Sequence, residues 1–244
     1  MKAFIKKLIR ILFSPFILKD YFSYKKLDSI SGDRFAVRFR DFYPQIRDKT
    51  IQTGFDRHYI YHTAWAARIL AITKPAKHID ISSSLYFSAI TSAFIPIDFY
   101  DYRPANLKLD NLTTKKADLM SLPFVENSIN SISCMHTIEH VGLGRYGDPI
   151  DPNGDIKAIS ELKRVLAING SLLFVTPIGK VPKIEFNAHR IYSHEQVLSI
   201  FNDLELREFA LIKEHDGSII RNASSEDIGE ESYACGCFWF IKKI

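Results

Sequence analysis

The sequence predicts an α/β fold in which helices flank a mostly parallel sheet, and three observations support this prediction. Short apolar runs alternate with stretches of helical periodicity, as where residues 78–81 are followed by residues 85–93. Residues 116–177 continue with an acidic turn, a strand, a polar loop, a helix, an Asn-Gly turn and another strand. The chain has 244 residues, of which 46% are hydrophobic. That is enough for one α/β domain with an extension.

The predicted elements alternate along the chain. In the first half they are a helix over 55–74 that ends before Pro75, a strand over 78–81, a helix over 85–93, a strand over 95–100 closed by Asp101, and a weak strand over 107–112. In the second half they are a strand over 131–135, a helix over 155–166, an Asn169-Gly170 turn before a strand over 171–175, a helix over 193–201 with Ser193 as N-cap, and closing strands over 206–212 and 238–241. These strands make a seven-stranded sheet.

Two segments are expected: 1–54, a basic amphipathic helix with a cap segment, and 55–244, the α/β domain. Near the start, Lys2, Lys6, Lys7 and Arg10 alternate with apolar side chains. The apolar runs are far shorter than the ~20 residues that span a bilayer. The lack of a cleavage site also argues against a secretory signal. The helix could lie on an anionic membrane surface, or pack against the body of the protein.

Charge and cysteine content narrow the class of protein. A net charge of +4 is too small to argue for nucleic acid as a partner. The three cysteines, Cys134, Cys235 and Cys237, have no disulfide-framework spacing, which indicates a reducing compartment and buried, inert thiols. We expect a cytoplasmic protein, with peripheral contact at the inner membrane surface if the basic helix binds lipid. The oligomeric state stays open.

Polar residues stand where the predicted strands end, which is where ligands bind in open α/β sheets. Asp80 and Ser82 lie at the end of the first strand, and Asp101 and Arg103 at the end of the second. A carboxylate such as Asp101 can accept hydrogen bonds from both hydroxyls of a ribose. Asp118 could accept one from the exocyclic amine of a base.

Several motifs resemble those of class I S-adenosylmethionine-dependent methyltransferases. The resemblance covers residues 78–212 and rests on Asp118 with Leu122-Pro123-Phe124, Ile138-Glu139-His140-Val141, and Glu161 to Leu166 with Gly170. More narrowly, the segments Asp80-Ile-Ser-Ser, Asp101-Tyr-Arg-Pro104, 140–152 and 186–192 resemble DUF268, a methyltransferase-like branch that is commonly associated with bacterial surface-glycan biosynthesis. The resemblance implies a Rossmann-like methyltransferase fold and S-adenosylmethionine as the cofactor.

The resemblance also implies roles for individual residues. Asp80 would lie near the methionine amino group, and the loop Ser82, Ser83 and Ser84 would pass under the cofactor. Asp101 would bind the ribose, with Arg103 beside it. Asp118 and Leu119 would contact the adenine, and His136 would line the pocket.

The loop departs from the family pattern, which has glycines where this chain has Ser82, Ser84 and Tyr86. Glycine permits a positive φ and close backbone approach, and a left-handed residue with a side chain costs roughly 1–2 kcal/mol. A serine hydroxyl could obstruct the cofactor or hydrogen-bond its carboxylate. Ser131, where the family often has an acid, is a second and largely structural departure.

A short zinc-protease pattern, His136-x-x-Glu139-His140, lies within the same stretch. That chemistry needs both histidines one turn apart on a helix. An apolar strand runs up to Met135, and Gly142 and Gly144 disfavour a long helix. The sequence therefore predicts no metal site here.

Side chains suited to an acceptor follow the fourth and fifth strands. His140 and His189 are candidate general bases, with Asp148 as a carboxylate alternative. The histidines could equally have structural roles. Candidate acceptor-binding residues are Arg145, Tyr146, Asp151, Asn187 and Arg190. The two arginines could clamp a phosphate or carboxylate, or pair with loop aspartates.

The resemblance implies methyl transfer from S-adenosylmethionine, with an oxygen of a sugar or surface-glycan intermediate as the expected acceptor. The alternative is a noncatalytic binding or scaffold protein that keeps the fold. Ligand binding separates the two, because a scaffold whose loop has lost its function would bind neither S-adenosylmethionine nor S-adenosylhomocysteine.

Overall fold

The computed structural model describes residues 15–32, 34–46 and 48–244, and the chain divides into two units, Met1–Phe55 and Asp56–Ile244. In the first unit, helix α1 spans Pro15–Ser31 and a 3-10 turn spans Phe39–Asp41. The predicted basic helix over residues 2–13 lies outside the described residues. None of the helices in the described ranges has the length and apolar character needed to cross a bilayer.

The second unit contains four helices and nine strands among its described residues. The helices are α2 Arg57–Thr73, α3 Leu85–Thr91, α4 Gly154–Val165 and α5 His194–Ile200. The strands are β1 His78–Ile81, β2 Ile97–Asp101, β3 Leu112–Lys116, β4 Ile129–Met135, β5 Leu166–Ile178, β6 Lys183–Glu185, β7 His189–Ile191, β8 Leu204–Ile212 and β9 Ala234–Lys242.

Seven of these strands form one sheet in the order β3-β2-β1-β4-β5-β9-β8. Strands β1 to β5 are mutually parallel, and β9 lies antiparallel between β5 and β8. The α/β fold with a seven-stranded, mostly parallel sheet is confirmed. The order reverses direction at β1 and β4, which is the position where such sheets bind ligands.

Each face of the sheet buries its own apolar cluster. Ile159 and Leu162 of α4 pack with Phe174 of the sheet on one face. On the other face, Trp65 and Ile69 of α2 belong to a cluster with side chains of β5, β8 and β9. Because both faces are covered, the middle of β5, Leu172-Leu-Phe-Val175, is a continuous apolar run, whereas β1 and β4 also carry buried polar side chains.

Capping residues fix two of the helix starts. Asp56 accepts a hydrogen bond from the backbone of Tyr59 at the start of α2. Ser193 and Gln196 form a reciprocal capping box at the start of α5, as the sequence predicts. These caps satisfy backbone N–H groups that have no partner within the helix.

The third strand was predicted over 107–112, and this is wrong, because β3 begins at Leu112. Asn111, with a φ of 59°, makes a turn immediately before it. The strand itself, Leu112-Thr-Thr-Lys-Lys116, is polar because it lies at the edge of the sheet, and polarity hid it from a search for apolar runs. Asp98 of β2 holds it through Thr113 at 2.5 Å and Lys115 at 3.2 Å.

Two further differences lie after the fourth strand. Asn169, with a φ of 60°, interrupts β5 as a bulge within one strand, where a separate turn is expected. Strands β6 and β7 form a two-stranded hairpin that periodicity does not reveal, because three residues are too few to show alternation.

Candidate functional site

A cavity of about 240 Å³ opens above the carboxyl ends of the central parallel strands. Its lining includes nine of the candidate site residues: Ser82, Asp101, Arg103, Asp118, Leu119, His136, His140, Tyr146 and Asp148. Six further residues line it that motif reasoning did not single out as site residues: Ile81, Tyr102, Ala117, Met120, Thr137 and Val141. Because β1, β2 and β4 pair in register, the residues that follow them necessarily meet at this edge.

Two carboxylates stand on the side of the cavity formed by β2 and β3. Asp101 Oδ1 accepts a hydrogen bond of 2.6 Å from the Arg103 backbone. Asp118 Oδ1 accepts one of 2.9 Å from the Met120 backbone. Each carboxylate thus uses one oxygen to hold its own turn. The second oxygen of each is available to a ligand hydroxyl or amine.

Ser82 has a φ of 54°, in the left-handed region where the family pattern has glycine. Its N–H and its hydroxyl both donate to the Tyr100 carbonyl, at 2.8 and 3.2 Å. The hydroxyl is therefore tied to the backbone of β2, which partly offsets the roughly 1–2 kcal/mol cost of left-handed geometry. Ser84 has a φ of −65° and Tyr86 lies inside α3, so neither position demands glycine.

Asp80 and Ser83 lie behind the cavity and do not line it. The Asp80 carboxylate is fully buried and accepts hydrogen bonds from Ser88 and, at 2.7 Å, from Ser133. Burial raises the pKa of Asp80 to about 6, although these hydrogen bonds oppose the shift. Ser83 Oγ accepts a 3.1 Å bond from the Met135 backbone. Both residues fix the β1 loop against β4.

A buried histidine at the start of β1 continues the hydrogen-bond network of Asp80 and Ser133. His78 contacts Ser131 Oγ through Nδ1 at 2.8 Å and Ser133 Oγ through Nε2 at 2.9 Å. Ser133 in turn donates to Asp80. Burial lowers the pKa of His78 to about 3. Ser131, where the family often has an acid, therefore has a structural partner.

His136 occupies the end of β4, where its φ of 52° turns the chain out of the strand. Its Nδ1 lies 2.9 Å from Oε1 of Glu139, which is buried in the 3-10 turn Ile138–His140. Burial raises the pKa of Glu139 to about 7 and lowers that of His136 to about 4. The zinc-protease geometry requires two histidines one turn apart on an α-helix. Here His136 directly follows a strand and His140 lies in a 3-10 turn, so that geometry is not formed.

His140 is oriented by the hairpin. Its Nδ1 lies 2.7 Å from the Ala188 carbonyl, to which the Arg145 guanidinium also donates at 2.8 Å. A carbonyl accepts, so Nδ1 carries the proton and Nε2 keeps the lone pair. Burial is the largest influence on His140 and lowers its pKa. The neutral ring in this tautomer is suited to act as a base.

The loop over 142–154 is held by its own aspartates. Asp148 accepts backbone hydrogen bonds from Gly142 at 2.8 Å and Tyr146 at 3.1 Å, and lines the cavity at the same time. Asp151 pairs with Lys157 at 2.6 Å and lies outside the cavity lining. Asp148 thus holds the backbone of Tyr146, whose side chain lines the cavity. The Arg103 guanidinium lies over the Tyr146 ring, 4.7 Å from its centre.

The remaining candidates lie on or beside the hairpin and outside the cavity lining. Arg190 is buried, donates to the Val141 carbonyl at 2.6 Å and lies 3.5 Å from Asp155. His189 Nε2 lies 3.3 Å from a Glu185 carboxylate oxygen. Asn187 is exposed between the two strands. The structure therefore assigns Arg190 to holding the hairpin against the loop.

Sequence reasoning missed a group of residues that gathers around His136. The rings of His58, Tyr59 and His62 on α2 lie 5.0–5.5 Å from the His136 ring, and the Tyr233 ring lies 5.1 Å from that of His58. The spacing of His58 and His62, four residues apart on one helix face, is the signal that could have found them. Their proximity to residues 136 and 233 depends on tertiary packing.

Comparison with known proteins agrees with this architecture. A family model described as "Caenorhabditis protein of unknown function, DUF268" matches residues 116–221. The resemblance to DUF268 is thereby confirmed over this segment, which is less than half of the chain. At the level of sequence, no curated protein matches.

Solved structures of methyltransferase folds are similar over most of the chain. In the Haloferax volcanii complex of the methyltransferase activator Trm112 with a protein assigned as a methyltransferase, one chain is 17% identical, with 78% of this chain and 91% of that chain covered and a TM-score of 0.51. A protein assigned as a methyltransferase from Bacillus halodurans C-125 is 14% identical, with 75% and 99% covered and a TM-score of 0.52.

A third structure, a protein assigned as a sarcosine dimethylglycine methyltransferase from Galdieria sulphuraria, is 16% identical, with 74% of this chain and 85% of that chain covered and a TM-score of 0.53. At such identities the likeness shows the fold. The second unit therefore has the Rossmann-like fold of class I S-adenosylmethionine-dependent methyltransferases. Within it, residues 116–221 are similar to the DUF268 family.

Proposed function

We propose that this protein transfers the methyl group of S-adenosylmethionine to an oxygen of a small-molecule acceptor. The observation that carries the proposal is the cavity at the switch point of the sheet, with Asp101 and Asp118 on one side and His140 on the other. A ribose diol fits the free oxygen of Asp101, and an adenine amine fits that of Asp118. His136 would contact the remainder of the cofactor.

Methyl transfer to a hydroxyl requires the protein to align the acceptor with the methyl group and to remove the hydroxyl proton. When bound, S-adenosylmethionine would supply an electrophilic methyl group for the acceptor oxygen, with S-adenosylhomocysteine as the leaving group. His140 accepts the hydroxyl proton at Nε2, because its Nδ1 proton is committed to Ala188. Arg145 donates to the same carbonyl at 2.8 Å, and its guanidinium lies 3.1 Å from His140 Nδ1, so it would hold the Ala188 carbonyl in place beside the ring.

We place a sugar or surface-glycan intermediate first among acceptors. The reason is chemical. Tyr146 lines the cavity, and the exposed guanidinium of Arg145 lies 5.2 Å from its ring, so both groups are available to a polyhydroxylated ligand that extends from the cavity. The residues at the hairpin tip, around Asn187, would border the acceptor.

The alternative is a noncatalytic binding protein with the same fold. It is favoured by one observation, the left-handed Ser82 in place of glycine at the point where a cofactor passes closest to the backbone. The tether of its hydroxyl to Tyr100 turns the side chain toward β2, which favours the enzyme.

Methyl transfer from labelled S-adenosylmethionine to a panel of sugars and nucleotide sugars tests the proposal. We expect His140→Ala to lower kcat by about 10²–10⁴-fold, the usual contribution of a general base, while affinity for S-adenosylhomocysteine stays within twofold. His215→Ala is the matched control, because this exposed histidine lies outside the cavity lining. Equal rates in the His140 variant and the wild type would remove His140 as the base. Absence of binding for both cofactor forms would favour the scaffold.

A further inference from the structure

A second cluster of chemically capable side chains lies next to the cavity, on the face of the sheet covered by α2. His58, His136 and Cys235 each place one potential ligand atom within 4.8 Å of the others, and all three residues are buried. They come from α2, the end of β4 and the start of β9, so three separate elements converge on one point.

Buried histidine nitrogens without hydrogen-bond partners lie in the same cluster. Among the described residues, Nε2 of His58, Nε2 of His62 and Nε2 of His136 are buried and have no hydrogen-bond partner. An unpaired buried polar atom costs about 1–3 kcal/mol, so three together need an explanation. Nearly all buried polar groups in folded proteins are satisfied, and an unseen ion is one of the standard reasons for an exception.

The surroundings of His136 resemble those of a metal ligand. Its Nδ1 lies 2.9 Å from Glu139 Oε1, which leaves Nε2, buried and without a hydrogen-bond partner, as the nitrogen available to an ion. Histidines that bind metals characteristically donate their other ring N–H to a carboxylate, which fixes the tautomer and raises ligand basicity. His62 shows a similar arrangement, because its Nδ1 lies 2.6 Å from the His58 carbonyl.

We propose that His58, His136 and Cys235 form a site for a divalent transition metal, with zinc as the best fit. Nitrogen and thiolate ligands in a set of this size are typical of zinc. The charges also balance: two neutral imidazoles, one thiolate and the Glu139 carboxylate offset the two charges of the ion. The site differs from the His136-x-x-Glu139-His140 pattern, since His136 is the one ligand that the two share and Glu139 acts only through the Nδ1 of His136.

The geometry requires a small adjustment when the ion enters. Ligand atoms around tetrahedral zinc are about 3.5 Å apart, given bond lengths of about 2.0–2.3 Å. The separations here, up to 4.8 Å, close to that value if each side chain moves by roughly 1 Å. Three protein ligands leave a fourth position open. The His62 ring, 5.0 Å from the His136 ring, packs beside it.

The chain offers a matched pair of cysteines for the test. Cys235 and Cys237 are both buried on the same face of β9 with their sulfurs 3.9 Å apart, and only Cys235 belongs to the cluster. Full-length wild type, Cys235→Ser and Cys237→Ser would be stripped with a chelator and titrated with Co²⁺ alone. The readouts are metal stoichiometry, the thiolate-to-cobalt charge-transfer absorption and the unfolding temperature with and without Zn²⁺.

We expect the wild type and Cys237→Ser to bind one equivalent, to show the thiolate band and to gain thermal stability with Zn²⁺. Cys235→Ser should lose the band, and its affinity should fall by about 100-fold. His58→Asn provides an independent variant that should keep the thiolate but lose affinity. Failure of the wild type to take up metal would overturn the proposal. So would a thiolate band that survives in Cys235→Ser, or equal losses in the two cysteine variants. None of these readouts depends on methyl transfer.

Discussion

Replacement of Asp101 by alanine is expected to weaken S-adenosylhomocysteine binding by about 100-fold, because a carboxylate that accepts from both ribose hydroxyls contributes roughly 3 kcal/mol or more. Asp101 ends β2 and lines the cavity, and one of its oxygens already accepts from the Arg103 backbone at 2.6 Å. Asparagine keeps one acceptor oxygen and removes the charge. Asp101→Asn should therefore lose less affinity than Asp101→Ala. Isothermal titration calorimetry measures both.

Asp98 provides the control for this experiment. It lies on the same strand, but its carboxylate pairs with Lys77 at 2.7 Å and Lys115 at 3.2 Å and is not part of the cavity lining. Asp98→Asn should leave ligand affinity unchanged within twofold. If Asp98→Asn weakened the ligand as much as Asp101→Asn, the ribose would not be bound by Asp101.

Substitution of Gly142 by alanine is expected to destabilise the protein by more than about 3 kcal/mol and to reduce cofactor affinity. An added Cβ would stand 2.1 Å from the Asp151 carbonyl oxygen, and the residue has a φ of +79°. Both the clash and the backbone strain act at the start of the loop that carries Tyr146 and Asp148 into the cavity wall. The loop must shift to relieve them, and Gly142 would then lose its hydrogen bond to Asp148.

Gly147 distinguishes the effect of the steric clash from the effect of the positive φ. Its φ of +82° is similar, but among the described residues an added Cβ would meet no atom within 4 Å. Gly147→Ala should therefore cost only the roughly 1–2 kcal/mol of left-handed backbone. Urea unfolding of both variants measures the difference. Equal destabilisation would show that close contact with Asp151 does not fix the loop.

Much of the fold follows from local patterning. The alternation of apolar runs with helical periods predicts the central strands, and the order of polar residues at their ends predicts the cavity wall formed by Asp101, Asp118 and His136. These residues meet in one cavity because parallel strands bring their carboxyl ends to the same edge of a sheet, whichever strands are neighbours. The sequence pattern does not predict the edge strand β3, because it is polar, or the β6–β7 hairpin, because its strands have three residues each.

The roles of the inner residues depend on contacts between distant segments. Asp80 has the spacing of a cofactor ligand, yet its side chain faces Ser88 and Ser133 beneath the loop. The sequence does not show which strand lies beside β1. In the same way, His58 and Cys235 are 177 positions apart in the printed sequence and meet only through the packing of α2 against the sheet.

A crystal structure of the protein with S-adenosylhomocysteine would show whether the cavity at the ends of β1, β2 and β4 binds the cofactor. We expect the ribose hydroxyls within hydrogen-bond distance of Asp101, the adenine beside Asp118 and Leu119, and the Ser82 hydroxyl still bonded to the Tyr100 carbonyl beneath the amino-acid portion. Ligand density elsewhere on the protein, or a nucleoside in this cavity whose ribose avoids Asp101, would contradict it.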